Sequence, residues 1–267
     1  MHGVLPDLLT WVDCYARSDD KPRWRTFDDT GWEPSAPSPH AELAPIVPPA
    51  PLPSGRHSLP AAYVSANQRE RIIHATISIL MKKGYNATTV ADIVAEAQLT
   101  RAVFYQHFRD KQELLTEINQ IHFQQMMAVS AKAFFSEDIW PERAWAAICA
   151  AGEVSASNPA GAHIGFIDTS AVGPEFARRV NEIIMAFSIF LEEGYRYRPE
   201  AENLPRLCSE AVASALCEFM YGEIRQSRAR DIRYLIPHVA YVALAPFMGP
   251  AEASSFIENK LHSAQSR

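Results

Sequence analysis

The sequence predicts an all-α protein of two helical domains behind a proline-rich extension, and three observations predict it. From Ala66 onward, apolar residues recur at three- and four-residue spacing in every long segment. Between Asn86 and Lys111 the chain reads NATTVADIVAEAQLTRAVFYQHFRDK, two short helical patterns joined by a tight turn. Nine prolines crowd the stretch from Pro34 to Pro60, a composition that cannot continue either pattern.

The first 64 residues form the extension. Its second half reads as a disordered, partly polyproline linker. Its first half is less bland: Val4, Leu5, Leu8, Leu9 and Val12 can line one side of a short helix, and Trp11, Trp24, Phe27 and Trp32 add aromatics that a solvated tail rarely carries. Three readings stay open: disorder without a specific role, a docking motif for the body or a partner, and a gene start placed too early, with Val64 as the true initiator.

Residues 65–112 form the first helical domain. A helix is expected from Ala66 to Lys83, where Ile72, Ile73, Ala75, Thr76, Ile79 and Leu80 follow helical spacing and Gly84 ends it. Arg69 and Arg71 stand on it as phosphate contacts or solvated charges, and Tyr85 packs against the two short helices beyond it. In the first of these Val90, Ile93, Val94 and Ala97 make a one-sided apolar stripe, and Thr89 with Asp92 gives a capping-box spacing. Gln98-Leu99 makes the turn. Thr100 then caps a helix through His107 in which Val103, Phe104 and His107 share the inner side, leaving Arg101, Ala102, Tyr105 and Gln106 outward. An arginine, a small residue, an aromatic hydroxyl and an amide on one short helix suit the major groove, where Arg reads guanine and Gln reads adenine.

The block from Arg69 to Glu117, with RERII, GYNATTVADI, LTRAVFYQHF and DKQELL in order, resembles the DNA-binding domain of the TetR/AcrR family of bacterial transcriptional regulators. It departs from the family's pattern at Gln98 and Ala102, where glycine is frequent. If Gln98 takes a positive φ, the strain is of order 1 kcal/mol. The resemblance implies that Tyr105 and Lys111, and also His107, meet the DNA backbone. The resulting DNA-facing set is Thr88, Thr89, Thr100, Arg101, Ala102, Val103, Tyr105, Gln106, His107 and Lys111.

Residues 113–267 form the second domain, expected to bind an effector and to dimerise. Asp110 and Glu113 open a long helix reaching about Phe135, with Leu114, Leu115, Ile118, Ile121, His122 and Met126 on its apolar side. Further helices are expected over 140–156, 162–171 and 174–195, the last opening on Pro174. The phrase GFIDTSAVGPEFARRV resembles the family's turn between its sixth and seventh helices. Trp140, Trp145, His163, Phe166, Asp168, Met185, Phe187 and Tyr195 are candidate walls of a ligand cavity, with Trp145, His163, Phe166, Asp168, Met185 and Phe187 the assigned set. Helices over 204–224 and 232–247 come next, the second carrying Pro237 as a site of kinking, and a helix over 251–262 closes the chain. The resemblance implies that the two long late helices pack on their two-fold mates, hence a homodimer.

Composition bounds the function. A net charge of −6 over 267 residues does not mark a general polyanion binder, so contact with DNA must be local and dimeric. Cys14, Cys149, Cys208 and Cys217 are widely spaced without a CxxC pair, which implies neither zinc nor a disulfide framework and fits a reducing cytoplasm. His163 and Asp168 diverge by about 140° on one helix and make no metal or catalytic pair. No segment reads as a signal peptide or a membrane span. With no GxSxG, HExxH, Walker loop or GxGxxG, an enzyme is not expected, and no cofactor. The expectation is a dimeric repressor bound to a near-palindromic double-stranded operator and released by a small hydrophobic effector; the alternative is a helical protein-interaction module that binds no operator.

Overall fold

The computed structural model describes residues 49–52, 59–165, 172–225 and 232–265. The extension's residues 1–48 and 53–58, and Phe166 and Asp168 of the expected cavity, lie outside them. Ten α-helices carry the described chain: α1 Ala61–Ala87, α2 Val90–Glu96, α3 Arg101–His107, α4 Lys111–Phe134, α5 Trp140–Ser157, α6 Pro159–Gly165, α7 Pro174–Phe187, α8 Leu207–Arg225, α9 Ile232–Met248 and α10 Pro250–Gln265. Two 3₁₀ segments, Ser188–Arg196 and Pro199–Asn203, separate α7 from α8.

Helix α1 begins five residues earlier than its periodicity indicates. The Pro60 carbonyl accepts the Val64 N–H at 3.1 Å, and the fixed φ of proline suits a helix entrance. At Gly84 the backbone takes φ 73° and ψ 173°, which breaks α1 before its last turn. A Cβ there would meet nothing within 4 Å, so glycine is required for its backbone and not for space. The described stretch 49–52 lies against α1, where Asn67 Nδ2 donates to the Ala50 carbonyl at 3.2 Å.

Helices α1 to α3 close over one core made of Ile72, Leu80, Ile93, Phe104 and Phe108. Leu114, Leu115 and Ile118 from α4 belong to it, and so do Ile164 at the end of α6, Val172 and Phe176. The two domains therefore share buried surface across position 112. Helix α4 is about 36 Å long at 1.5 Å per residue and reaches from this core into the second one.

The second core gathers Phe134, Trp140, Phe190, Leu191, Tyr195, Ala240, Leu244 and Phe247. Helix α9 is its axis: Leu235, Ile236, Val239, Ala240, Ala243, Leu244 and Phe247 are buried, and no residue of α9 is exposed. Its buried apolar side faces the core. Tyr234, His238, Val242 and Pro246, four residues apart, make its half-buried side, and Pro237 and Pro246 lie within it without ending it. The Glu153 carboxylate, itself buried, accepts Arg233 Nε at 2.7 Å and ties α5 to the start of α9.

The helix expected over 174–195 is α-helical only to Phe187. Trp140 Nε1 donates to the Phe190 carbonyl at 3.0 Å, taking the acceptor that the next α-turn needs. Gly194 lies so close to Trp140 and Phe247 that a Cβ would stand 2.6 and 2.8 Å from them. The segment is drawn tight against the core and winds as 3₁₀.

Candidate functional site

The candidate nucleic-acid face is built on local capping. Thr89 Oγ1 accepts the Asp92 N–H at 3.3 Å while Asp92 Oδ2 accepts the Thr89 N–H at 2.8 Å, the reciprocal box expected from the sequence. Lys83 and Thr89 hold the Asp92 carboxyl far below the usual carboxylate range. Gln98 has φ 53°, so the strained turn is present. Its N–H donates to the Ala95 carbonyl at 3.1 Å and that of Leu99 to the Val94 carbonyl at 2.9 Å, the pair of bonds that closes a helix through a left-handed residue. Thr100 Oγ1 accepts the Val103 N–H at 3.3 Å and starts α3.

Below α3, Phe104 and Phe108 are fully buried and fix its roll. Above it, Arg101, Ala102, Tyr105 and Gln106 are exposed, Tyr105 at 58%, with its ring edge-on to Phe104 at 5.3 Å. Val103 and His107 are half-buried. Burial, followed by the nearby charge of Arg69, pushes the His107 imidazole down at the end of the helix.

Three cations take places that the sequence did not indicate. Arg69 pairs with Glu117 on α4 and lies over the Phe108 ring. Arg71 donates to the Ala97 carbonyl at 2.5 Å and so caps the end of α2. Lys111 Nζ donates to the carbonyls of Tyr85 and Thr88 at 2.7 and 2.8 Å. Arg69 and Arg71 are thus neither free for phosphate nor simply solvated. Lys82 pairs with Glu96, Lys83 with Asp92 and Arg109 with Asp110. Among the described residues, Arg101 is the one Lys or Arg of this domain without an ion pair or hydrogen bond.

Thr88 is corrected. It is 2% exposed and its hydroxyl donates to the Gly84 carbonyl at 2.6 Å, so it braces the end of α1 and does not face outward. Thr89 and Thr100 stay at the surface as helix caps.

A second site lies in the other domain, a cavity of about 120 Å³ between α4, α5, α8, α9 and the 3₁₀ segment after α7. Of the expected walls among the described residues, only Phe187 lines it. Trp145 packs edge-on to Phe256 of α10, His163 is half-buried on α6, and Met185 lies elsewhere on α7. Trp140 and Tyr195 belong to the core, where the Tyr195 hydroxyl donates to the Arg206 carbonyl at 2.8 Å. The walls that the sequence did not indicate include Met126, Ser130, Ala147, Ala151 and Gly152, and opposite them Leu216, Cys217, Met220, Ile236 and Val239. Burial pushes the Cys217 thiol up to about 12, which leaves it a neutral wall residue. The available signal was the small-residue run Ala144, Ala147, Ala151, Gly152 along α5, because a cavity forms where side-chain volume is missing.

A capped two-helix unit with an exposed Arg-Ala-Tyr-Gln surface, carried on an all-helical body, has the form of a helix-turn-helix. Residues 72–118 match the profile of the family described as bacterial regulatory proteins, tetR family. The matched stretch holds both capped helices, where the sequence resemblance lies. An uncharacterized HTH-type transcriptional regulator of Bacillus subtilis, YerO, is 42% identical over 48 residues, which are 18% of this chain and 17% of that protein. This match is therefore confined to a small part of the relative's length. In fold, the chain is similar to a tetR-family regulator from Rhodococcus RHA1, with a TM-score of 0.54 and 24% identity over 67% of this chain and 96% of the other. It is similar also to FadR of Bacillus subtilis, solved with stearoyl-CoA, with a TM-score of 0.57 and 18% identity over 67% and 97%. Among the described residues no helix is long and apolar enough to cross a membrane.

Proposed function

We propose that this protein is a cytoplasmic homodimeric repressor that holds a near-palindromic operator through paired copies of α3 and releases it when a small apolar effector enters the cavity. The observation that carries the reading is Arg101: a guanidinium unpaired among the described residues, on the exposed side of a helix whose other side is locked by Phe104 and Phe108. Such a group is available to a base edge, with Tyr105 and Gln106 beside it.

Dimerisation is supported by α8. Leu207, Ala211, Ala215 and Phe219 are all exposed and recur every four residues, Leu207 at 66% and Phe219 at 42%. An apolar stripe with small residues at its centre suits close approach of the same helix from a second copy. Placing two copies of α3 about one DNA turn apart matches two half-sites.

Release is supported by α6. Ala162 packs with Ile232 and Met220, both cavity walls, while Ile164, two residues on, lies in the core of the DNA-binding domain. One short helix thus touches both sites, and a shift of the cavity wall is felt beneath α4. FadR of Bacillus subtilis was solved with an acyl-CoA, which favours a small-molecule effector here without naming it.

Footprinting the promoter nearest the gene, with unbiased selection of duplex sequences, tests the reading. A protected inverted repeat is expected. No protection and no selected sequence would leave the interaction-module alternative standing.

A further inference from the structure

The walls of the cavity specify the kind of molecule it can take. Among the described residues they carry no charged side chain, so a carboxylate, a phosphate or an ammonium would meet no counter-charge there. At about 120 Å³ the cavity has the scale of the apolar cavity of about 150 Å³ that takes up benzene in another protein, room for roughly one six-membered ring. A long acyl chain exceeds it several times over.

Among the described residues, one polar atom in the wall has no partner. Ser130 of α4 lines the cavity and is 1% exposed, and its hydroxyl makes no hydrogen bond among the described residues, not even to its own helix. Ser155, the other hydroxyl in the wall, already donates to the Ala151 carbonyl at 3.1 Å. A buried hydroxyl left unpaired is costly, and a ligand oxygen placed against it removes that cost.

We infer that the ligand is a neutral single-ring or compact branched molecule with one oxygen, of the chemistry of a phenol, a cyclic alcohol or a cyclic ketone, and that Ser130 is its hydrogen-bonding anchor. This rests on the effector-cavity reading and narrows it to one chemical class. The surrounding Ile148, Phe187, Phe190, Leu216 and Ile236 supply apolar contact to the ring, and the single hydroxyl orients it. Cavity and anchor lie on α4, the same helix that begins in the DNA-binding core, so the oxygen is held by the element that joins the two sites.

The test uses the full chain and its Ser130→Ala variant, which removes an unpaired group and keeps the fold. Thermal unfolding is followed with phenol, toluene, benzoate and stearoyl-CoA, and binding to the selected duplex is measured in the same titrations. Phenol is expected to raise the transition more than toluene in the natural chain, with about tenfold tighter binding, and to fall to the level of toluene in the variant. Benzoate and stearoyl-CoA are expected to do little. No shift with phenol or toluene, a phenol shift unchanged in Ser130→Ala, or a larger shift with stearoyl-CoA would overturn the inference. Phenol binding that leaves the duplex bound would uphold this ligand class and sink the effector reading instead.

Discussion

Lys111 Nζ donates to the Tyr85 carbonyl at 2.7 Å and stands 3.9 Å from the centre of the Tyr85 ring. The first residue of α4 is thereby fastened to the last turn of α1, with the Thr88 carbonyl as a second acceptor. Desolvation holds the Lys111 ammonium below the usual lysine range, and the ring and two carbonyls replace the water it loses. The residue that a family resemblance would place on a phosphate is here a tie between two helices.

Lys111→Ala should therefore lower the unfolding free energy by about 1.5–3 kcal/mol, the range for hydrogen bonds to a charged group. Urea unfolding of variant and natural chain checks this. A variant as stable as the parent that still loses DNA would return Lys111 to a direct phosphate role.

Arg101→Ala should cut discrimination at one operator base pair by about 1–3 kcal/mol while non-specific affinity changes little. Tyr105→Ala should weaken binding to operator and scrambled duplexes alike. Titrations of both duplexes with each variant separate the two roles, and a uniform loss from Arg101→Ala would make it a phosphate contact.

Gln98→Gly should stabilise the chain by a few tenths to about 1 kcal/mol, because glycine relieves the left-handed strain at φ 53° and gives back part of the gain through a freer unfolded chain. The urea midpoint should rise. A fall would mean that the Gln98 side chain supports the turn.

His122 makes stability depend on pH. It is buried on α4 with neither ring nitrogen partnered among the described residues, and burial pushes its imidazole down to about 4 from an ordinary 6.5. Between those values the unfolded chain holds the proton and the folded chain does not. The contribution is intact above about pH 6.5 and is lost as the pH falls through 6.5 toward 4, about 2 kcal/mol of it between pH 8 and pH 5. Denaturant unfolding at the two pH values should show a smaller drop for His122→Leu than for the natural chain; equal drops would place the titration elsewhere.

Ala215→Arg should separate a dimer formed through α8 into folded monomers, since the residue is exposed and the change sets a charge at the centre of the apolar stripe. Sedimentation with circular dichroism reads both properties. An unchanged dimer would move the interface off α8.

Local chemistry made much of this protein legible in advance. The capping threonines, Gly84, the turn at Gln98 and the outward set Arg101, Ala102, Tyr105 and Gln106 depend on neighbours within about four positions, so spacing alone reveals them. The same holds for nearly every helix of the second domain. Tertiary packing decided the rest. Lys111 and Arg71 each find their acceptors 26 residues away, and no periodicity shows which carbonyls end up unpaired beside them. Helix α9 is as periodic as α8, but only the fold leaves every residue of one at least half-buried and a stripe of the other exposed. Trp145, His163 and Met185 stand away from the cavity, which lies where Ala147, Ala151, Gly152 and Ser130 leave space against α8 and α9. Sequence records side chains that are present, whereas a cavity is volume that four separate helices fail to fill, and that deficit exists only once they are packed.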